Sequence, residues 1–170
     1  MKPTLKGVPN PKAAATPEEA KVTLEKLNWI CNSNVSAVQF CAMIIDIVAT
    51  YDDLIDKDNP DLNDGAIHAM MHSALFGLPH NKFYMDNFNL LNPIMLNSVA
   101  NWRIANELER VNTLSDLNIA FIIRSSYADV IRMVAFICGG DAHSIQAGIE
   151  IRRYVHAEGM DSYLKEQQGE

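Results

Sequence analysis

Long apolar stretches separated by short polar breaks run along most of the chain, and this pattern predicts helices. A helix is predicted over residues 35–55 and is apolar almost all round from Val38 to Ala49, which is typical of a helix buried on several sides. Residues 16–19, Thr-Pro-Glu-Glu, combine an N-cap residue, a first-turn proline and a capping-box glutamate, so a first helix is predicted to begin here. No strand-like alternation lasts more than a few residues. The pattern predicts an all-α, single-domain bundle of six to eight helices.

The remaining boundaries are predicted from turn and capping signals. Gly77 with Pro79, and the run 139–141 (Gly-Gly-Asp), are predicted helix stops, because glycine and proline commonly end helices. Residues 1–15 are rich in proline and are predicted to form a flexible N-terminal arm, with residues 16–170 as the helical domain. The later helices are predicted at roughly 63–76, 92–110, 116–137, 142–158 and 161–167.

Charge and composition exclude several classes of partner. The chain has 170 residues, a net charge of −7 and a pI near 5.2, without a run of Lys or Arg, so nucleic acid is not an expected partner. The longest apolar runs are interrupted by Asp46 or are too short to span a bilayer, and the N-terminus does not resemble a signal peptide. Three cysteines without a CxxC pair indicate a reducing compartment. We therefore expect a cytoplasmic protein without a membrane span.

Four aspartates lie within three turns at the end of the helix predicted over residues 35–55, the last of them just beyond it: Asp46, Asp52, Asp53 and Asp56. At about 100° per residue, Asp46 and Asp53 nearly superimpose. Mutual repulsion favours a bound cation, and Mg²⁺ suits the cluster because it takes oxygen ligands and commonly bridges carboxylates to phosphates. The alternative is a solvated helix end. Asp46 lies within an apolar run, where burial without a partner would be costly, so it is predicted to have a basic partner, to bind a metal or to line a wet cavity.

A second polar line follows at intervals of four residues: Asn97, Asn101, Ala105 and Glu109. Residues four apart share a helix face, so Asn101 and Glu109 are predicted to meet the cation from the opposite wall, with Asn97 lining the same cavity. The alternative is a stripe that faces solvent.

Polar residues 124–129, Arg-Ser-Ser-Tyr-Ala-Asp, interrupt an apolar helix. We predict that they face an internal cavity, in which Arg124 binds an anion while Tyr127 and Asp129 form part of the wall. The alternative is a buried ion pair between Arg124 and either Asp46 or Asp129.

The string Asp52-Asp53-Leu54-Ile55-Asp56 resembles the DDxxD metal motif of the class I isoprenoid (terpenoid) synthases, a superfamily of all-α bundles. The resemblance implies that these aspartates hold Mg²⁺ on a substrate diphosphate. Asn101-x3-Ala105-x3-Glu109 is similar to the family's second metal motif, with alanine in place of a serine ligand. Arg153-Tyr154 is similar to the late Arg-Tyr pair that contacts diphosphate in that family.

The strings at residues 51–58, 101–105 and 124–127 together resemble short bacteriophage-encoded helical proteins. This resemblance implies a viral origin, and hence the host cytoplasm, but it implies no mechanism.

Two functions from different classes follow from these patterns. The leading hypothesis is divalent-metal-dependent binding or turnover of a phosphorylated small molecule, with Arg124, Arg153 and Tyr154 holding the anion. The alternative is a non-enzymatic interaction or structural protein, either a homodimer or a viral factor that binds a host protein. Eight methionines would give such a protein an adaptable surface.

A third possibility is a transition-metal site at Asp64, His68 and His72, which follow one another at intervals of four. The histidines lack the intervening glutamate of HExxH, so proteolytic chemistry is not predicted. A surface stripe is the alternative.

Overall fold

The computed structural model describes residues 17–57, 59–157 and 159–168, without the side chains of residues 17–22, 166 and 168. The predicted arm at residues 1–15 lies outside the described residues. Every regular element in the described part is helical, which confirms the all-α prediction. The elements are α1 (Pro17–Ile30), α2 (Val35–Asp56), α3 (Asp64–His72), a π-helical turn (Ser73–Gly77), α4 (Leu78–His80), α5 (Lys82–Asp86), α6 (Phe88–Val111), α7 (Leu114–Ile123), α8 (Tyr127–Val155) and α9 (Met160–Gln168).

The core lies where α1, α2, α5, α6 and α8 meet. Phe40 and Cys41 of α2 and Val134 of α8 are completely buried, as is Leu91 of α6. Asn34 caps α2 by accepting a hydrogen bond from the Ala37 backbone N–H at 3.1 Å. The nearly continuous apolar sequence of α2 is explained by its contacts with α1, α3, α5 and α8 on several sides.

Two predicted boundaries near prolines are wrong. The helix predicted to stop at Gly77 continues through Pro79 to His80, by way of the π turn in which the Leu78 N–H bonds the Ser73 carbonyl. A proline ring clashes with the carbonyl four residues before it in a regular α-helix, and the wider π turn relieves that crowding. Likewise α6 begins at Phe88, so Pro93 lies inside it.

The helix predicted over residues 116–137 is broken at residues 124–126. There the Ser125 and Ser126 hydroxyls donate to the Ile122 and Ile123 carbonyls, at 3.0 and 2.6 Å. Serine side chains that bond nearby backbone carbonyls compete with regular helix hydrogen bonds. The break separates α7 from α8 and places Arg124 at the junction.

The predicted stop at residues 139–141 is a kink within α8. Gly140 has φ 80° and ψ −173°, a conformation that favours glycine. The Asn32 side-chain amide donates to the Cys138 carbonyl at 3.2 Å, so a hydrogen bond joins the turn after α1 to α8 next to the kink.

By length and composition alone, one helix in the described part, α2, could cross a membrane. Core helices of soluble proteins meet the same criteria. The expectation that no segment spans a membrane stays a prediction.

Candidate functional site

The guanidinium of Arg124 lies at the centre of a cluster of acidic side chains from two other helices. Its Nη1 donates to Glu109 Oε1 of α6 at 2.9 Å. Its Nη2 lies 3.4 Å from Asp52 Oδ1 and 3.6 Å from Asp56 Oδ2, both on α2. The Arg124, Glu109 and Asp52 side chains are only 13, 15 and 17% exposed. We call these four residues the Arg124 cluster.

Electrostatics keep Arg124 charged in this position. Burial alone would lower the pKa of Arg124, but Glu109, Asp52 and Asp56 together raise it. The Tyr163 hydroxyl of α9 donates to Glu109 Oε1 at 2.6 Å. Burial and this hydrogen bond raise the pKa of Tyr163, so the phenol stays protonated and continues to donate. Three carboxylates and one guanidinium carry a formal charge of −2, so the cluster attracts cations more than anions.

The other two aspartates of the acidic sequence lie elsewhere. Asp53 accepts a hydrogen bond from the Asn59 side chain at 2.7 Å. Asp46 lies in an apolar run but is exposed, so the costly burial that the prediction assumed does not occur. It follows the buried Ala37 by nine residues, about 900° of rotation, and therefore lies on the opposite side of α2. Partial burial still raises the pKa of the Asp46 carboxyl.

The polar line on α6 divides between two environments. Asn101 donates to the Ser126 Oγ at 2.9 Å, so it contacts the α7–α8 junction. Glu109 joins the Arg124 cluster, and Ala105 is completely buried. Asn97 is exposed and is not in the cluster, and its place on a cavity wall stays a prediction.

The predicted anion-binding residues do not converge. Arg153 is an exposed residue that pairs with Glu150 one turn earlier, at 2.8 Å. Tyr154 lies at a separate cavity between α1, α2 and α8, and Tyr127 lines the same cavity. Asp129 accepts a hydrogen bond from Arg152 at 2.8 Å, so Arg152 and not Arg124 is its arginine partner.

The described residues do not form a metal site from protein side chains of the usual ligand types. No group of three or more His, Cys, Asp or Glu side chains there is placed so as to hold a metal ion. Asp64, His68 and His72 are all exposed, and the His72 ring stacks on Phe76. Mg²⁺ binding by Asp52, Asp53, Asp56, Asn101 and Glu109 therefore stays a prediction.

Sequence reasoning missed two participants in these polar networks. Tyr163 lies in a short, mostly polar helix that carries no signal of its contact with Glu109. Arg152 bonds both Asp129 and the Ser125 hydroxyl, the latter at 3.1 Å. Arg152 and Arg153 are adjacent in sequence but point to different sides of α8. The sequence does not show which side faces the polar network and which faces solvent.

Comparison with known proteins adds no relative: no family model, curated protein or solved structure matches this chain.

Proposed function

We propose that this protein is a non-enzymatic interaction protein that pairs with a second copy of itself through one exposed apolar face. The face belongs to the surface helix formed by α3, the π turn and α4. We call it the Phe76 face, and it comprises Met71, His72, Leu75, Phe76 and His80.

Exposed apolar side chains carry the proposal. Met71, Leu75 and Phe76 are 45, 65 and 59% exposed, and neither α3 nor the π turn contributes a buried residue. The Phe76 ring stacks between His72 and His80, with centroid distances of 5.5 and 5.4 Å. Contiguous exposed apolar patches commonly mark interaction sites, and methionine and aromatic residues are enriched in interfaces.

The opposite side of this helix is already occupied. A Cβ atom added at Gly77 would lie 2.7 Å from the Met43 sulfur of α2, so the helix packs closely against the bundle there. The apolar residues of the Phe76 face cannot turn inward without breaking that packing. A partner is therefore the remaining way to bury them.

A second copy is the simplest partner, because most soluble oligomers are homo-oligomers and a twofold dimer buries the same patch twice. At about 1.5–3 kcal/mol for each fully buried large side chain, the exposed fractions of Met71, Leu75 and Phe76 correspond to about 2.5–5 kcal/mol per protomer. Association costs about 4–15 kcal/mol. The expected dimer is weak and depends on concentration.

Light scattering coupled to size exclusion, together with sedimentation velocity over a wide concentration range, tests the proposal. The wild-type mass should rise from the monomer's 19.0 kDa towards twice that value. Phe76→Glu should remain monomeric, because a buried carboxylate in a twofold contact opposes its own symmetry mate. Phe136→Glu is the matched control, since Phe136 is 44% exposed on α8 and should leave association unchanged. A wild type that is monomeric throughout, or equal effects of both substitutions, would refute the proposal.

A second candidate function is the divalent-metal-dependent binding or turnover of a phosphorylated small molecule, as the isoprenoid synthase resemblance implies. The convergence of Asp52, Asp56 and Glu109 on Arg124 favours it. Arg124 lies farther from Asp52 and Asp56 than from Glu109. In this candidate function a cation binds the two aspartates, while Glu109 holds the Arg124 guanidinium in position to bind a phosphate.

Calorimetry with Mg²⁺, alone and with pyrophosphate, tests this candidate. Binding should occur in the wild type and disappear in Asp52→Asn and Asp56→Asn, which remove the two aspartates that face Arg124. It should persist in Asp46→Asn, which removes an exposed acid from the same helix without touching the cluster. Absence of wild-type binding, or equal binding by all variants, would exclude it.

A further inference from the structure

A cavity of about 520 Å³ lies between α1, α2 and α8, and no residue of the Phe76 face lines it. Most of its wall is apolar, and the residues that matter most here are Ile45, Ile131, Ile151 and Val155. The volume is within the range of small-molecule sites, which are mainly apolar with a few polar groups that fix orientation. The cavity therefore resembles a ligand site more than a packing defect.

Tyr127 supplies a polar group on this wall. The residue is 7% exposed, and its hydroxyl makes no hydrogen bond with a described residue. In the described part of the chain, no fully buried polar side-chain atom lacks a hydrogen bond. The Tyr127 hydroxyl therefore reaches an accessible surface, and Tyr127 is one of the residues that line the cavity. Burial raises the pKa of Tyr127, with Tyr154 and Asp52 adding to the effect and Arg152 opposing it, so the group is a neutral O–H donor.

Lys26 supplies a positive charge on the same wall. Its Nζ lies 4.6 Å from the centroid of the Tyr154 ring and forms no ion pair with a described residue. Two carboxylates also line the cavity, those of Glu25 and Glu150, but Arg153 already pairs with Glu150 at 2.8 Å. Glu25 also carries a charge on this wall, so the preference for an anion rests on the position of the Lys26 ammonium over the Tyr154 ring.

We propose that this cavity binds a small amphipathic anion, with its apolar body against the isoleucines of α2 and α8 and its head group at Lys26 and Tyr127. A medium-chain aliphatic carboxylate is the simplest molecule of this class. The apolar wall excludes a highly charged ligand, and the Lys26 ammonium over the Tyr154 ring favours one negative charge over a positive one.

Calorimetric titration of the full chain with octanoate, decanoate and dodecanoate tests the proposal. Affinity should rise about fourfold for each added methylene until the cavity is filled. Decanol, which lacks the charge, should bind about two- to fivefold more weakly than decanoate, as expected for a partly exposed ion pair, and decylamine more weakly still. Trp29 lines the cavity, so its fluorescence should change on binding.

Two variants locate the site. Lys26→Met should reduce decanoate affinity to that of decanol while leaving decanol binding unchanged, and because Lys26 is exposed the variant should fold normally. Ile45→Phe should fill the cavity and lower decanoate affinity at least tenfold. Ile47→Phe is the matched control, since Ile47 is a half-buried residue of α2 that does not line the cavity.

Each result decides the matter. Absence of wild-type decanoate binding, preference for decylamine, or equal decanoate affinity in Lys26→Met and wild type overturns the proposal. Equal binding by folded Ile45→Phe and Ile47→Phe, with folding checked by circular dichroism, also overturns it. None of these results bears on the Phe76 face, which the Phe76→Glu experiment tests separately.

Discussion

Replacing Arg124 with methionine should lower the free energy of unfolding by about 3–5 kcal/mol, the cost of removing one partner from a buried ion pair. Methionine fills much of the same volume, so the loss would come from charge and hydrogen bonds more than from a void. The substitution leaves Glu109 and Asp52, at 15 and 17% exposure, without the guanidinium that balances them. Asp56 contributes less because it is 32% exposed and better hydrated.

Urea denaturation followed by circular dichroism measures this loss. The pKa of Arg124 is raised, and the stability that depends on its charge is lost only when pH rises beyond the ordinary range of arginine. Alkali within the working range therefore cannot mimic the substitution. Arg153→Met is the matched control, because its partner Glu150 is one turn away on the surface and its side chain is 73% exposed. Its effect should stay within about 0.5 kcal/mol.

A double-mutant cycle separates the interaction energy between Arg124 and Glu109 from the other effects of each substitution on stability. Glu109→Gln should itself destabilise the protein, because it removes a charge that both Arg124 and Tyr163 contact. The double variant should lose less than the sum of the two single losses, by about 0.5–3 kcal/mol. A loss below about 1 kcal/mol in Arg124→Met, or strict additivity in the cycle, would contradict a stabilising role for the cluster.

Three further predictions concern individual positions. Asn81→Ala should cost about 1–3 kcal/mol in thermal or urea unfolding, because the buried amide donates to the Ser36 carbonyl at 2.9 Å and also caps α5; a change within about 0.5 kcal/mol would contradict this. Gly140→Ala should cost about 1–2 kcal/mol in the same assay, since φ is +80° while the space around the position is open, and an unchanged midpoint would argue against the kink. Burial, and then Arg152, lower the pKa of His156, so its contribution to stability is present above the ordinary histidine pKa and lost as pH falls below it. His156→Gln should flatten that part of the stability–pH profile, and an unchanged slope would refute the assignment.

Most helices could be predicted because their signals are local. The cap before α1 and the apolar run of α2 act within a few residues, and these helices form where predicted. The failures occurred where a non-local or geometric effect decided the outcome. The π turn allows the helix to continue past Pro79, and two serine hydroxyls break the helix predicted over 116–137.

The acidic sequence shows the same division at the candidate site. Residue types and helical spacing place carboxylates on α2 and α6, but they do not show which of these carboxylates meet at one site. Rotation about the α2 axis leaves Asp46 exposed, while Asp52 and Asp56 turn towards Arg124.

Sequence by itself determined that the chain is helical, that α2 lies in the core, and that a dense group of carboxylates ends α2. These properties depend on side-chain size, polarity and period, which can be read along one helix. Only the tertiary structure decided that one buried guanidinium lies between two of these carboxylates and Glu109 of α6, that Tyr163 reaches Glu109 from 54 residues away, and that Tyr127 and Lys26 line one cavity. Contacts between distant segments depend on how whole helices pack, and no local pattern encodes that packing.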